Sequence, residues 1–138
     1  MTTGHLGRYR QNKYVTASPG QLLLALYDGA IRFGRQARQS IADGDTAGKG
    51  EAIGRVTAII SELTSTLDHS KAPELCSNLE QLYNYMIERL QEGSLKMQVE
   101  PVDEIILHLE GLREAWGEAV QKVEGQEATS PKLMSASA

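Results

Sequence analysis

The sequence predicts an all-α protein, an antiparallel up-down four-helix bundle with a short N-terminal arm or helix packed on it. Apolar residues recur three and four positions apart through most of the chain, which is the period of an amphipathic helix rather than a strand. No Asn-Gly or Asp-Gly turn joins two alternating runs, so the signals of a β-hairpin are missing. Four amphipathic segments of about 20–25 residues with short connections pack side by side as a bundle.

The 138 residues are expected to form one domain, because this length usually supports a single core. We divide the chain into an N-terminal arm over residues 1–17, a four-helix bundle over residues 18–124 and a disordered C-terminal tail over residues 125–138. The tail is rich in Ser, Thr, Pro and Ala and lacks the apolar content to fold.

The first two helices are predicted from their caps. Ser18 can accept a hydrogen bond from a first-turn amide, and Pro19 stands where a missing N–H costs nothing. This helix ends near Asp43-Gly44, and Asp45 can cap the second helix. The predicted apolar stripes are Leu23, Leu26, Ala30, Phe33, Ala37 and Ile41 in the first helix, and Ile53, Val56, Ile60, Leu63 and Leu67 in the second.

The third and fourth helices each begin with a proline in the first turn. The third starts at Pro73 and ends by Gly93-Ser94, and the fourth runs from Pro101 to Gly125. Their predicted stripes are Leu75, Leu79, Leu82, Met86 and Leu90 in the third, and Val102, Ile105, Leu109, Leu112, Trp116, Ala119 and Val123 in the fourth.

Charge and composition exclude several classes of protein. The net charge of −4 argues against a nucleic-acid binder, which normally carries clustered Lys and Arg. Residues 1–46 are net positive and residues 47–138 net negative, so we expect the arginines of the first helix, Arg32, Arg35 and Arg38, to pair with acids on neighbouring helices. A single cysteine, no secretory signal and no run of about 18 apolar residues favour a cytoplasmic protein without membrane insertion.

The spacing of the Glu and His residues gives little indication of an enzyme. A di-iron bundle requires two Glu-x-x-His motifs, whereas Glu104 and His108 are spaced i,i+4 and occur once. We therefore expect no metal, no cofactor and no enzyme activity. A phosphotransfer bundle that uses His108 is kept as an alternative function.

Several helices carry more apolar residues than one core stripe requires. They are Leu22, Leu24, Ile31, Tyr83, Tyr85, Ile87, Ile106, Leu107 and Val120. They either widen the core face or form an exposed groove that binds a partner. A homodimer or a larger assembly of this chain, which would bury the same surface, is a further alternative.

A set of motifs in one order carries a family resemblance. They are Tyr9-x-x-Asn12, Thr16-Ala17-Ser18-Pro19-x-x-Leu22, Leu26-Tyr27-Asp28-Gly29-Ala30-Ile31, Leu82-Tyr83-x-Tyr85-Met86 and Glu114-Ala115-Trp116. The chain resembles the bacterial flagellar export chaperone family FliS. The resemblance implies a cytoplasmic protein that binds the disordered C-terminal segment of flagellin, prevents premature polymerisation and delivers flagellin to the flagellar export gate, without a cofactor.

The resemblance also implies candidate partner-binding residues. Some of them are expected to contact flagellin, and others to form an N-terminal lid over its groove. They are Tyr9, Asn12, Tyr14, Leu24, Tyr27, Ile31, Tyr83 and Tyr85. Whether the N-terminal arm is a displaceable lid or fixed packing is left open by the sequence.

Overall fold

The computed structural model describes residues 18–137, with side chains described over residues 18–126. This part of the chain forms four α-helices: α1 (Pro19–Ala42), α2 (Thr46–Ser65), α3 (Pro73–Lys96) and α4 (Val99–Ser137). Each helix packs against the next, and α1 packs against α4, which closes a four-helix bundle. The short connections make neighbouring helices antiparallel. The all-α four-helix bundle predicted from the spacing of apolar residues is confirmed.

The turn from α1 to α2 depends on one glycine and one aspartate. Gly44 has a left-handed backbone (φ +71°), and its N–H donates to the carbonyl of Ile41 at 3.1 Å. The N–H of Asp45 donates to the carbonyl of Ser40 at 2.8 Å, which completes a Schellman motif. The carboxylate of Asp45 then accepts from the N–H of Gly48 at 3.0 Å. Asp45 therefore ends one helix and caps the next, as its position in the sequence predicts.

The connection from α3 to α4 consists of Met97 and Gln98 alone. Met97 adopts the left-handed conformation (φ 53°), and the N–H of Gln98 donates to the carbonyl of Gly93 at 3.0 Å. Because this two-residue turn is so tight, both helices extend about two residues further than the sequence predicts.

The last helix continues past Gly125, where the sequence analysis places its end. The backbone of α4 is helical to Ser137, which is twelve residues beyond the predicted end of the fourth helix at Gly125. One glycine costs a helix only about 1 kcal/mol relative to alanine, and the glutamates beside it are good helix formers. The division of the chain into arm, bundle and tail stays a prediction, and residues 1–17 lie outside the described residues.

The core draws on all four helices. Its fully buried side chains include Tyr27, Val56, Ile60, Leu63, Met86, Leu90, Ile105 and Leu109. The buried face of α1 is rotated from the predicted stripe, because Leu24 and Ile31 are buried while Leu23, Leu26 and Phe33 are only half-buried. The reason is that α1 lies between α2 and α4 and uses small residues to approach them. At Gly34 an added Cβ would lie 3.2 Å from Ile106.

A charged seam joins the outer surfaces of α1 and α4. Arg35 pairs with Glu110 at 2.7 Å, and Arg38 pairs with Asp103 at 3.0 Å. The predicted pairing is therefore confirmed for these two arginines, while the guanidinium of Arg32 lies 5.0 Å from the ring centroid of Phe33. Exposed pairs of this kind stabilise a fold by at most about 1 kcal/mol each.

Over the described residues, none of the four helices combines the length and the apolar character that crossing a membrane requires.

Candidate functional site

An apolar groove with a volume of about 570 Å³ lies between the first turns of α1 and the C-terminal half of α4. We call it the α1–α4 groove. Its apolar walls are Leu22, Leu23, Leu26, Trp116, Val120 and Val123. Leu22 and Val123 are 48% and 52% exposed, so the groove presents apolar side chains to solvent.

A glycine holds the two helices close at this end of the bundle. A Cβ at Gly20 would lie 2.9 Å from both γ-methyl groups of Val120, closer than real Cβ atoms approach. The first turn of α1 can therefore lie against α4 only because residue 20 has no side chain. Val120 is buried by this contact, whereas Leu22 and Val123 remain exposed on either side of it.

The rim of the groove is polar where α1 begins. The hydroxyl of Ser18 donates to the carboxylate of Glu124 at 2.6 Å and accepts from the N–H of Gln21 at 3.1 Å. The side-chain amide of Gln21 also donates to both oxygens of Glu124, at 3.1 and 3.0 Å. A carboxylate at the N-terminal end of a helix is stabilised by the helix dipole. Glu124 therefore fixes the start of α1 on α4.

Beneath the groove, three side chains from three helices form a buried hydrogen-bonded series. The indole N–H of Trp116 donates to the hydroxyl of Tyr27 at 3.2 Å, and this hydroxyl lies 2.5 Å from the hydroxyl of Tyr83. Tyr27 and Tyr83 are 0% and 1% exposed. Burial raises the pKa of both phenols above the ordinary value of 10.0, so both hydroxyls are neutral at physiological pH. We call this set the Trp116–Tyr27–Tyr83 series.

The residues predicted from the family resemblance fall into three groups. Tyr9, Asn12 and Tyr14 lie outside the described residues. Four side chains are buried and pack the bundle interior: Leu24, Tyr27, Ile31 and Tyr83. Tyr85 is exposed on α3, away from the α1–α4 groove, and its hydroxyl donates to Glu104 at 2.5 Å. Contact of these residues with a partner stays a prediction.

The groove itself contains residues that the sequence analysis did not name as partner-binding. The sequence gives Leu22 and Val120 as surplus apolar residues that either widen the core or form a groove, and it predicts Trp116 and Val123 as part of the core stripe of the fourth helix. The sequence signal that could have indicated the groove is the occurrence of surplus apolar residues at the beginning of the first helix and near the end of the fourth. Their proximity follows only from the antiparallel arrangement that places the start of α1 beside the end of α4.

On the opposite part of α4, Glu104 is the centre of an ion-pair cluster. It accepts hydrogen bonds from the hydroxyl of Tyr85 and from Arg89 Nε at 3.0 Å, and His108 Nε2 lies 3.5 Å from its carboxylate. The hydrogen bond from Tyr85, with a further contribution from Arg89, lowers the pKa of Glu104 below its ordinary value of 4.5.

His108, the candidate phosphotransfer residue, is about half exposed on this surface. Leu109 beside it is fully buried, whereas Leu107 is 70% exposed. No group of three His, Cys, Asp or Glu side chains is placed to hold a metal ion within the described part of the chain.

Comparison with known proteins gives the family. The family model described as "Flagellar protein FliS" matches residues 2–123. The flagellar secretion chaperone FliS of Salmonella typhimurium is 35% identical over 119 residues, which cover 86% of this chain and 88% of that protein. The flagellar secretion chaperone FliS of Bacillus subtilis is 35% identical over 113 residues, 82% of this chain and 84% of that protein.

A solved structure agrees in fold. It is described as a crystal structure of a flagellar chaperone from bacteria, has a TM-score of 0.71, and is 20% identical over 88% of this chain and 99% of that one. At this identity the likeness supports the four-helix architecture, while the sequence matches carry the family assignment. From these matches and the motifs that run through the bundle, the chain belongs to the FliS family of non-enzymatic flagellar secretion chaperones.

Proposed function

We propose that this protein is a cytoplasmic chaperone that binds the disordered C-terminal segment of flagellin. It prevents premature polymerisation of flagellin and delivers flagellin to the flagellar export gate. The observation that carries the proposal is the α1–α4 groove, an apolar surface that the bundle leaves open to solvent. Family membership supports a secretion role, and the groove supplies a physical means of holding an unfolded client.

The groove has the form that an amphipathic helix requires. Leu22 and Leu26 form one wall on α1 at i,i+4 spacing, and Trp116, Val120 and Val123 form the other on α4 at spacings of four and three. A client helix laid between two such ridges would insert apolar residues at i, i+3, i+4 and i+7. The polar rim at Ser18 and Glu124 would remain in water at one end.

The energetics require more than this groove alone. Ordering each client residue costs about 1–2 kcal/mol of backbone entropy. A groove of about 570 Å³ holds only a few side chains. The client therefore continues over further surface of the bundle, on the scale of about 1,000–3,000 Å² that coupled folding and binding buries.

The N-terminal arm directly precedes the groove rim in the sequence. Residue 17 precedes Ser18, which itself lies at the groove rim. Tyr14 is four positions before Ser18 and can therefore reach roughly 13 Å along an extended chain. We include Tyr9, Asn12 and Tyr14 as a displaceable lid that covers the groove in the absence of client. In this arrangement Tyr27 and Tyr83 lie beneath the groove, where Tyr27 accepts a hydrogen bond from Trp116, whereas Leu24 and Ile31 are buried elsewhere along α1.

Titration calorimetry with a peptide of the last residues of flagellin, about 40 in length, tests the client. We expect binding with a negative heat-capacity change, because apolar surface is buried. Leu22→Glu and Val123→Glu should each weaken binding about tenfold or more, since each places a charge in the groove. Leu95→Glu is the matched control, because Leu95 is 85% exposed on α3, lies outside the groove and is not among the surplus apolar residues. Absence of any complex, or equal losses in all three variants, would contradict the proposal.

The lid is tested by deleting residues 1–15. If the arm is a lid that competes with the client, its deletion should change the affinity for the peptide by more than the accompanying change in melting temperature can explain. The single variant Tyr9→Ala should change both in the same direction as the deletion. If affinity falls only in proportion to stability, the arm is fixed packing.

Two further outcomes bear on the alternatives. Light scattering over a range of protein concentrations tests whether a second copy, rather than flagellin, covers Leu22 and Val123. Phosphoryl labelling that disappears in His108→Ala would favour the phosphotransfer alternative, which has no support from the family.

A further inference from the structure

Trp116 lies between the α1–α4 groove and the core. One side of its half-buried ring lines the groove, and its indole N–H bonds inward to Tyr27. It is the single tryptophan of the sequence. The position of this ring therefore decides part of the shape of the groove.

The hydrogen bond has only one possible direction. An indole N–H donates and cannot accept, so the hydroxyl oxygen of Tyr27 must be the acceptor. That oxygen is held in turn by the hydroxyl of Tyr83 at 2.5 Å. The Trp116–Tyr27–Tyr83 series thus extends from α4 through α1 to α3.

We infer that Tyr27 and Tyr83 are positioning residues for the groove: they hold the indole of Trp116 in place, so that the affinity of the groove for an apolar occupant depends on two buried hydroxyls that the occupant never touches. The two phenols are 0% and 1% exposed, so we assign them an indirect role in place of the direct partner contact that the family resemblance implies. The inference rests on the proposed function only for the identity of the natural occupant.

The physical reason is the half-buried position of the indole. Without the hydroxyl of Tyr27, the N–H of Trp116 would lose its acceptor among the described residues. A polar hydrogen left unpaired in partly buried surroundings favours rotation of the ring toward water. Such a rotation would remove one wall of the groove in the free protein, and an occupant would have to restore it on binding.

A different result is expected if the Trp116–Tyr27–Tyr83 series serves only to stabilise the core. Removing a hydroxyl would then lower the stability, but the folded fraction would keep the same indole environment and the same groove affinity. The two roles are separated by measurements on the folded protein.

The closing experiment combines three measurements on the full chain: the NMR resonance and solvent exchange of the single indole N–H, the affinity for the apolar dye ANS, and the affinity for the flagellin peptide. In Tyr27→Phe we expect the indole resonance to shift, its exchange to accelerate, and both affinities to fall about three- to tenfold. Tyr85→Phe is the matched control, because it removes an exposed hydroxyl bonded to Glu104 outside the groove. Because Tyr85 is itself a predicted partner-binding residue, this control is read in the indole resonance and the dye affinity, and both should be unchanged.

Tyr83→Phe keeps the test decisive if Tyr27→Phe folds poorly. It removes only the hydroxyl at the end of the series, which does not bond to Trp116 directly. We expect the same changes in Tyr83→Phe, with a smaller amplitude. In a Trp116→Phe background, which has no indole N–H, Tyr27→Phe should cause no further loss of dye or peptide affinity.

An unchanged indole resonance in both Phe variants would overturn the inference. Unchanged dye affinity in both, or fully additive losses in the double variant, would overturn it as well. A wild-type protein that binds the dye but not the peptide would remove flagellin as the client, and the dye affinities would still decide the positioning role.

Discussion

The side chains of Ser18 and Glu124 are 106 positions apart in the chain and meet in a hydrogen bond of 2.6 Å. The same Ser18 hydroxyl accepts from the N–H of Gln21 at 3.1 Å. One side chain therefore caps α1 and fastens it to α4, at the rim of the groove proposed to bind client.

Ser18→Ala is expected to lower the free energy of unfolding by about 1–2 kcal/mol, because the N–H of Gln21 loses its acceptor and Glu124 loses a donor. Urea denaturation followed by circular dichroism measures the change. Ser77→Ala, at an exposed position within α3, is the control and should be neutral or slightly stabilising because alanine favours helix. Equal stability of Ser18→Ala and wild type would show that the cap contributes nothing.

Gly54→Ala is expected to stabilise the protein by about 1 kcal/mol. Gly54 is exposed within α2, and an added Cβ would meet no atom within 4 Å. The matched variant Gly48→Ala should destabilise, since its Cβ would collide with the carboxylate of Asp45 that caps the same helix. Thermal melting of both variants checks the pair, and a gain from Gly48→Ala would contradict the described capping geometry.

Acid is expected to weaken the contact between α3 and α4 at Glu104. The hydrogen bond from Tyr85, together with Arg89, lowers the pKa of Glu104 in the folded protein, so the unfolded chain takes up a proton first as the pH falls. The stability that this carboxylate contributes is complete above pH 4.5 and is lost as the pH falls through the folded-state pKa.

Urea unfolding of wild type and Glu104→Gln at a series of pH values measures this loss. The advantage of wild type over the variant should shrink as the pH is lowered from neutral to below 4.5. Glu118→Gln, at an exposed position on the same helix, is the control for removing one negative charge. A wild-type advantage that is constant with pH would rule out the ion-pair cluster as the source.

Tyr27 and Tyr83 are expected to resist ionisation in the folded protein. Burial raises the pKa of both above 10.0, so the folded state retains protons that the unfolded state releases. Their contribution to stability is therefore complete below pH 10 and declines as the pH rises further. A pH jump followed by phenolate absorbance should show these two phenols ionising only at the rate of unfolding. Immediate ionisation of all five tyrosines with the helices intact would contradict their burial.

The residues that line the α1–α4 groove could not be predicted from the sequence. Leu22 and Leu24 both belong to plausible apolar stripes of the first helix, yet Leu22 is 48% exposed and Leu24 is buried. The periodic pattern does not separate the two, because a helix with apolar residues at consecutive positions can turn either stripe inward. The spacing predicts that Trp116 faces the bundle, but its exposed side and its hydrogen bond to Tyr27 depend on contacts between helices far apart in sequence.

The sequence by itself determined the four helices, the caps at Ser18 and Asp45 and the family of the chain. Helical hydrogen bonds and caps join residues three or four positions apart, so a local pattern is enough to specify them. Only the tertiary structure decided which face of α1 is buried, that Ser18 meets Glu124, and that an open apolar groove lies beside Trp116. These features depend on how closely separate helices approach, and that distance is set by side-chain volumes on both partners, as Gly20 and Val120 show.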